Sequence, residues 1–115
     1  MVDRPKRGEV YWVDLDPVVG SEQGGRRPAV VVQNDLGNRF SPTTIVVPLS
    51  SRIPTKPYPF HVWLEPASMP KPSVVKCNQV RNVDKSRLHP GRIAALDDET
   101  MARVDEALRI SLGMD

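Results

Sequence analysis

The side chains most capable of chemistry are concentrated in two segments rich in glycine or proline. Residues 18–27 combine three glycines with a serine, a glutamate and paired arginines, and residues 50–59 combine hydroxyls and basic groups with three prolines. A carboxylate can accept a proton, a guanidinium can hold an oxyanion through two hydrogen bonds, and a hydroxyl can donate one. Because functional groups are often carried by loops on a rigid scaffold, both segments are candidate functional loops.

The positive charge is concentrated in the middle of the chain. Although the net charge is only +2, residues 17–96 hold 11 Lys or Arg against 4 Asp or Glu. Residues 97–115 hold 2 against 6, and the first 16 residues hold 3 against 4. The middle is therefore the candidate face for a polyanion. An ordinary solvated surface is the alternative, because segregation along the sequence need not survive folding.

Cysteine and histidine offer little for catalysis or metal binding. Cys77 is the single cysteine, so an internal disulfide is excluded, and with two histidines no Cys/His zinc cluster is expected. His61 lies in an apparent strand and His89 in a His-Pro-Gly turn, which disfavours a catalytic histidine pair. We expect Cys77 to be a small packed residue, and we expect neither a metal nor a cofactor.

The length and hydropathy favour one cytoplasmic domain over residues 1–115. No window approaches the roughly 18–20 consecutive apolar residues of a membrane span. The first eight residues contain no apolar stretch that could act as a signal peptide. We therefore expect a soluble protein without membrane contact.

Short β-rich runs separated by Pro and Gly fill the chain up to residue 96. The continuous apolar run at 28–33 predicts a strand buried on both faces. Six short strands with polar turns favour a small barrel. The predicted strands are 9–16, 28–33, 44–49, 60–64, 73–77 with a possible continuation to 83, and 92–96.

The last segment changes to a helical period. Met101, Val104, Leu108 and Leu112 recur at spacings of three and four, which predicts one apolar helix face, whereas Ile110 falls on the opposite side. Asp97 can cap the helix, acidic residues in the first turn suit its dipole, and Gly113 suits its end. The acidity of this segment therefore has a structural explanation.

Taken together, these runs resemble the MazF/PemK/Kid family, and most of all its Gram-positive-type members. The likeness covers nearly the whole chain in order, which makes it far more specific than a lone motif. It is carried by residues 8–17, 20–25, 27–32, 33–35, 38–43, 47–50, 78–81 and 96–101.

The resemblance implies an SH3-like (PemK/CcdB-like) barrel with a C-terminal helix and a homodimer. It implies a toxin of a type II toxin–antitoxin system that cleaves single-stranded mRNA at specific sequences without a metal, leaving a 5′-hydroxyl end. It also implies inhibition by a MazE-type antitoxin whose C-terminal tail occupies the RNA groove, with DNA bound only through the antitoxin.

The family's cleavage pair, an arginine that begins strand two and a threonine that ends strand three, falls on Arg27 and Ser50. Arginine can hold the phosphate and offset its developing charge, and the hydroxyl can donate to a phosphoryl oxygen. Serine lacks the methyl that restrains threonine, so we expect lower precision with the chemistry retained. Glu22 is our candidate for the general base, because arginine is effectively always protonated.

Other family features transfer only in part. The Kid branch is associated with a histidine in the first loop and a carboxylate in the fifth-strand motif, where this chain has Ser21 and Asn78, so that acid/base assignment does not carry over. Lys76 matches a basic residue of that motif. The predicted RNA-binding residues are Ser21, Gln23, Phe40, Ser51, Arg52, Lys56, Lys76, Asn78, Gln79 and Arg81.

Each assignment has a structural alternative. Arg27 can be an ion-pair partner of Glu22, Ser50 a turn residue, and Phe40 a core residue. The rival function is that of the CcdB-like toxins, which share the barrel but bind DNA gyrase. Those proteins are associated with a tryptophan near the C-terminus, whereas the tryptophans here are Trp12 and Trp63. A peptide-binding SH3-like module would need more aromatic residues than this chain has.

Overall fold

The computed structural model describes residues 2–65 and 67–114, and this part of the chain forms seven strands and two α-helices. The predicted class, mainly β with a C-terminal helix, is confirmed. No helix among these residues is long and apolar enough to cross a membrane. The strands are β1 (Glu9–Asp14), β2 (Arg26–Val31), β3 (Thr43–Ser50), β4 (His61–Leu64), β5 (Ser73–Lys76), β6 (Arg81–Asp84) and β7 (Ala94–Ala95), and the helices are α1 (Asp35–Phe40) and α2 (Asp98–Ser111).

The central strand of the sheet is β3. The order is β4-β5-β3-β2-β1-β7, and β6 also pairs with β3. On the edge away from β2, β3 pairs first with β6 at residues 43–46 and then with β5 at residues 49–50. Pro48, which has no backbone N–H to donate, lies between these two pairings. This change of partner gives a half-barrel and leaves Ser50 where β2, β3 and β5 meet.

Side chains of the central strands alternate between two apolar clusters, one on each face of the sheet. Val10, Val30 and Val47 lie in one row across β1, β2 and β3 and belong to the cluster that α2 covers. Val31 and Val46 are paired neighbours in the cluster on the opposite face. The apolar run of β2 is therefore buried on both faces, as its sequence predicts.

The C-terminal helix begins and ends where the sequence predicts. The Asp97 carboxylate caps it by accepting a hydrogen bond from the Thr100 N–H at 2.8 Å. Gly113 follows the helix in the left-handed conformation, with φ of 69°. These two local signals fix the position of α2 along the chain.

The apolar face of α2 is shorter than predicted. Met101 and Val104 are buried and Leu108 is partly buried against the same cluster, but Leu112 is 61% exposed. Leu112 has the right angular position, yet it lies past the last helical turn that packs on the sheet. Ile110 is exposed on the other side, as the helical spacing predicts.

Three other features differ from the sequence prediction. The strand predicted from residue 73 onward divides into β5 and β6, because a turn closed by the Gln79 N–H donating to the Lys76 carbonyl at 2.9 Å interrupts it. Helix α1 was not predicted; it is capped by Asn34 and is too short to show a helical period. The last predicted strand, 92–96, is reduced to β7.

Candidate functional site

The two residues of the predicted cleavage pair lie at the same end of neighbouring strands. The ladder between β2 and β3 ends at Ala29 and Pro48, and the same register continued by two residues sets Arg27 opposite Ser50. Both side chains alternate onto the same face of the sheet as Ala29 and Val31, beyond the end of that apolar cluster. The fold thus places these two groups, which are far apart in sequence, at adjacent strand ends.

Ser50 is almost closed to solvent, with 7% of its surface exposed. Its Oγ accepts a hydrogen bond from the Arg52 N–H at 3.1 Å. A hydroxyl has two lone pairs and one proton, so this contact fixes the oxygen and leaves the O–H available as a donor. The backbone of the following turn therefore supplies a restraint on the side chain, in place of the methyl that threonine would provide.

Arg27 is held by one hydrogen bond and keeps its other donors available. Its Nε donates to the Gly24 carbonyl at 2.8 Å, which orients the guanidinium. Among residues 2–65 and 67–114 no carboxylate forms a salt bridge with it, so the predicted alternative of an Arg27–Glu22 ion pair is wrong. The two terminal nitrogens can still form a bidentate contact with an oxyanion.

Glu22 lies on the exposed first loop. One carboxylate oxygen accepts a hydrogen bond from the Val19 N–H at 2.6 Å, and the Glu22 N–H donates to the Val19 carbonyl at 3.2 Å. These two contacts close a tight turn. They occupy Oε1 and leave Oε2 without a partner in the described part of the chain.

Gln23 ties the first loop to the turn between β5 and β6. The Lys76 ammonium donates to the Gln23 side-chain oxygen at 3.1 Å, and the Gln23 N–H donates to the Gln79 side-chain oxygen at 3.2 Å. Three of the predicted RNA-binding residues therefore form one connected group. Their amide N–H₂ groups and two protons of Lys76 remain available to a ligand.

Beside Ser50 lies an open groove of about 440 Å³, which we call the basic groove. It contains three of the predicted RNA-binding residues and, in the described part of the chain, no carboxylate. Its lining includes Ser50, Arg52, Tyr58, Phe60, His61, Lys76 and Asn78. An electropositive groove next to a buried hydroxyl suits a phosphate-bearing ligand.

His61 is the groove residue that the sequence reasoning missed. It pairs with Lys76 across β4 and β5, so both side chains lie on the same face of the sheet. Burial and then the charge of Lys76 lower the pKa of His61, which keeps its ring neutral near pH 7. The alternation of side chains along β4 predicts which face of the strand His61 lies on. Only the pairing of β4 with β5 shows that this face lines the basic groove. His89 is elsewhere, with its Nε2 2.8 Å from an Asp14 carboxylate oxygen.

The remaining predicted RNA-binding residues do not lie together. Arg81 lies opposite Val46 and donates to the Leu15 carbonyl at 3.1 Å, which gives it a structural role. Ser21 and Lys56 are exposed on the two loops. Phe40 is 70% exposed on α1, so the expectation of a core residue is wrong. Phe40 precedes the start of β3, whereas Ser50 ends it, so the structure does not bring Phe40 to the groove.

A second, smaller cavity of about 250 Å³ lies next to Arg27. We call it the Trp12 cavity, after a tryptophan that is 45% exposed. Ser51 belongs to this cavity and not to the basic groove. Its lining includes Trp12, Arg27, Pro28, Leu49, Ser51 and Met69.

The Cys77 thiol is unreactive because it is buried. It is fully buried in the cluster that α2 covers, and this burial raises the pKa of its thiol to about 12. The prediction of a small packed residue is confirmed. In residues 2–65 and 67–114 no three His, Cys, Asp or Glu side chains are grouped so as to hold a metal ion.

A family model described as PemK-like, MazF-like toxin of type II toxin-antitoxin system matches residues 6–112. The chain belongs to this family. Endoribonuclease EndoA of Bacillus subtilis is 51% identical over 111 residues, which cover 95% of each chain. The MazF/PemK resemblance predicted from the sequence is therefore confirmed.

Solved structures of MazF-type toxins share the fold. MazF from Deinococcus radiodurans superposes with a TM-score of 0.83 at 34% identity, covering 96% of this chain and 97% of that one. The MazE-MazF complex of the same organism gives 0.78 at 31% identity, covering 97% and 99%. A mycobacterial endoribonuclease in complex with its cognate antitoxin gives 0.81 at 26% identity, covering 96% and 97%. The predicted PemK-like barrel is confirmed.

Proposed function

We propose that this MazF-type toxin is a metal-independent endoribonuclease that cuts single-stranded mRNA through attack by the RNA's own 2′-hydroxyl. The relative with 51% identity is named an endoribonuclease, which supports RNA cleavage as the activity. The observation that carries the mechanism is the Ser50 hydroxyl, which lines an electropositive groove at the strand end that the continued β2–β3 register sets opposite Arg27.

Arg27 and Ser50 act on the phosphate. Attack by the 2′-hydroxyl places additional negative charge on the phosphoryl oxygens, and donors already in position stabilise that charge without reorganising. The terminal nitrogens of Arg27 bind one pair of oxygens, and the Ser50 O–H donates to another. Their existing contacts, to the Gly24 carbonyl and from the Arg52 N–H, hold both groups in place.

Glu22 is the base in this mechanism. It takes the 2′-hydroxyl proton through Oε2, while Oε1 keeps the carboxylate on its turn through Val19. As the 2′-oxygen bonds to phosphorus, the bond from phosphorus to the 5′-oxygen breaks, and the leaving 5′-oxygen takes a proton from water to give the 5′-hydroxyl end. The first loop carries Glu22 beside Gln23, whose contacts with Lys76 and Gln79 link that loop to the groove. RNA phosphates bind Arg52 and Lys76, and the amides of Gln23, Asn78 and Gln79 read exposed base edges.

The partner is a MazE-type antitoxin. Relatives with this fold have been solved as MazE-MazF complexes and with a cognate antitoxin. We propose that the antitoxin's C-terminal tail occupies the basic groove and so competes with RNA, that the toxin is a homodimer, and that DNA is bound only through the antitoxin. The cytoplasm is where its mRNA substrate lies.

The CcdB-like alternative, a non-enzymatic toxin that binds DNA gyrase, is not favoured. The family match names the PemK-like and MazF-like toxins. The tryptophans are Trp12 and Trp63, and neither is near the C-terminus, where CcdB-like proteins are associated with one.

A long single-stranded RNA incubated with the protein in excess EDTA tests the proposal. We expect discrete cuts, mapped by primer extension, and new 5′-hydroxyl ends that polynucleotide kinase labels without prior phosphatase treatment. Products with 5′-phosphate ends, or cleavage restored only by added Mg²⁺, would overturn the mechanism. Intact RNA together with inhibition of gyrase supercoiling would favour the CcdB-like alternative.

A further inference from the structure

Three aromatic rings form a compact cluster at one wall of the basic groove. The Tyr58 and Phe60 rings are stacked, with centroids 5.1 Å apart and an angle of 5° between their planes. The His61 ring stands edge-on to both, with centroid distances of 5.7 Å to Tyr58 and 4.8 Å to Phe60. Stacked and edge-on arrangements at these distances are the favourable geometries for aromatic pairs.

The cluster is fixed to the body of the protein. Phe60 packs against the apolar cluster that α2 covers, and its carbonyl accepts a hydrogen bond from the Cys77 N–H at 3.0 Å. The His61 N–H donates to the Tyr58 carbonyl at 2.9 Å. Because these contacts hold the backbone on both sides of the ring pair, Tyr58 is held in place although it lies at the end of a loop.

Tyr58 remains open to a ligand. It is 51% exposed even though Phe60 covers one face of its ring. Part of its ring surface is therefore open beside the stacked Phe60 and the edge-on His61, and this surface can accept another planar group. Tyrosine offers a large flat surface with few rotatable bonds, so little conformational entropy is lost when a ligand covers it.

The charges around the cluster favour RNA as the ligand. Arg52 and Lys76 line the same groove, and no acidic residue does so within the described part of the chain. Burial and Lys76 lower the pKa of His61, so this ring adds an uncharged wall. A flat aromatic surface beside two cations matches an unpaired base with its flanking phosphates.

We propose that Tyr58 is a base-stacking platform: one unpaired base of the RNA lies on its exposed face while Arg52 and Lys76 bind neighbouring phosphates. This inference rests on the proposed function and identifies how the substrate is held close to Ser50. Stacking tolerates any base, so the platform contributes affinity and not sequence selectivity. It contributes nothing to the chemical step.

Replacement of Tyr58 by leucine and by phenylalanine separates stacking from general apolar contact. On a short RNA that contains one mapped cut site, we expect Tyr58→Leu to raise KM about 10-fold, within the range for loss of one stacked base, with kcat unchanged. Tyr58→Phe keeps the ring and should match the parent. An unchanged KM in Tyr58→Leu overturns the platform, and because Tyr58 is exposed, misfolding is not expected to obscure the result.

A series of RNAs with one abasic residue at each position around the cut site locates the stacked base. At one position the abasic RNA should bind the parent about 10-fold more weakly but bind Tyr58→Leu no more weakly than intact RNA does. If the loss of affinity from the abasic residue and the loss from Tyr58→Leu add at every position, the proposal is overturned.

Direct binding separates failure of this inference from failure of the proposed function. Affinity for an RNA with 2′-deoxyribose at the cut site reports stacking even if the parent cleaves nothing. In that case a weaker Tyr58→Leu complex retains the platform and rejects the nuclease. If Tyr58→Leu weakens only a peptide from the antitoxin tail and leaves RNA affinity unchanged, the platform serves the antitoxin and the proposal for RNA is wrong.

Discussion

At the scale of single residues, Ser50 combines an occupied acceptor with an available donor. Its oxygen accepts from the Arg52 N–H, so the O–H can point into the groove. If that donor stabilises the phosphoryl group, Ser50→Ala should lower the cleavage rate about 10²-fold, the low end for removal of one such donor, with little change in RNA affinity. Single-turnover cleavage and binding of an uncleavable RNA measure the two effects.

Two further variants make this prediction specific. Ser50→Thr retains the hydroxyl and restrains its rotamer, so it should match or exceed the parent rate. Arg27→Ala removes a charge as well as donors and should be slower than Ser50→Ala. The variants are compared at equal folded fraction, because a strand-end substitution can cost up to about 1 kcal/mol of stability. If folded Ser50→Ala cleaves at the parent rate, Ser50 is only a turn residue.

The sequence predicts candidate site residues but not the contacts that they make. The family resemblance identifies Arg27 and Ser50, and their placement on one face of the sheet follows from strand alternation and register. The contacts of Gln23 could not be predicted, because its partners Lys76 and Gln79 are 53 and 56 residues away and depend on how β5 and β6 dock. The place of His61 in the basic groove could not be predicted for the same reason, since the groove exists only once β4 pairs with β5.

At the scale of elements, local signals predicted α2 better than they predicted the strand ends. Asp97 and Gly113 act within one helical turn, so the sequence itself contains the boundaries of α2. The division between β5 and β6 depends instead on which segment of β3 each strand pairs with, and periodicity carries no information on that choice. Helix α1 could not be predicted, because six residues are too few to establish a helical period.

The Asp97 cap makes the stability of α2 depend on pH. The side-chain and backbone hydrogen bonds from Thr100 lower the pKa of Asp97 below its ordinary value of 3.8. A lowered carboxylate pKa contributes stability that is fully present above the unfolded pKa and is lost as pH falls through the folded one. Asp97→Ala should lower Tm by several degrees at pH 7, because the cap is lost.

Asp97→Asn separates the charge from the cap. Asparagine also caps helices, so this variant should lose less Tm than the parent when the pH is lowered from 7 to 3. The difference is read from melting curves followed by circular dichroism at both values. Equal losses in the parent and in Asp97→Asn would show that the Asp97 charge does not contribute to the cap.

At the scale of the whole molecule, the lining of the basic groove contains no residue of the acidic C-terminal helix. Arg52 and Lys76 line the basic groove, whereas the first turn of α2 carries Asp98 and Glu99. Affinity for an uncleavable single-stranded RNA should therefore fall steeply with salt, with a logarithmic slope of about −0.7 per phosphate contacted. Titrations between low and physiological salt measure this slope.

Two matched substitutions assign that slope to the groove. Arg52→Gln removes one charge from the groove and should make the slope shallower by about 0.7. Arg103→Gln removes the same charge from the exposed side of α2 and should leave the slope unchanged. A slope insensitive to salt in the parent, or equal changes in both variants, would contradict electrostatic binding of RNA in the basic groove.

The exposed apolar side of α2 provides the test of the proposed homodimer. Ile110 is 45% exposed on the face of the helix opposite the core, where it gains nothing in a monomer. Sedimentation at micromolar concentration should give about twice the 12.8 kDa mass of one chain.

Ile110→Lys should dissociate the dimer if this face forms the interface, because a lysine there would have to be desolvated against the partner. Leu36→Lys, at a position 70% exposed on α1, is the matched control and should remain dimeric. A parent protein that sediments as a monomer would contradict the dimer, and a dimeric Ile110→Lys would move the interface to another surface, of which the Trp12 cavity is the first to examine.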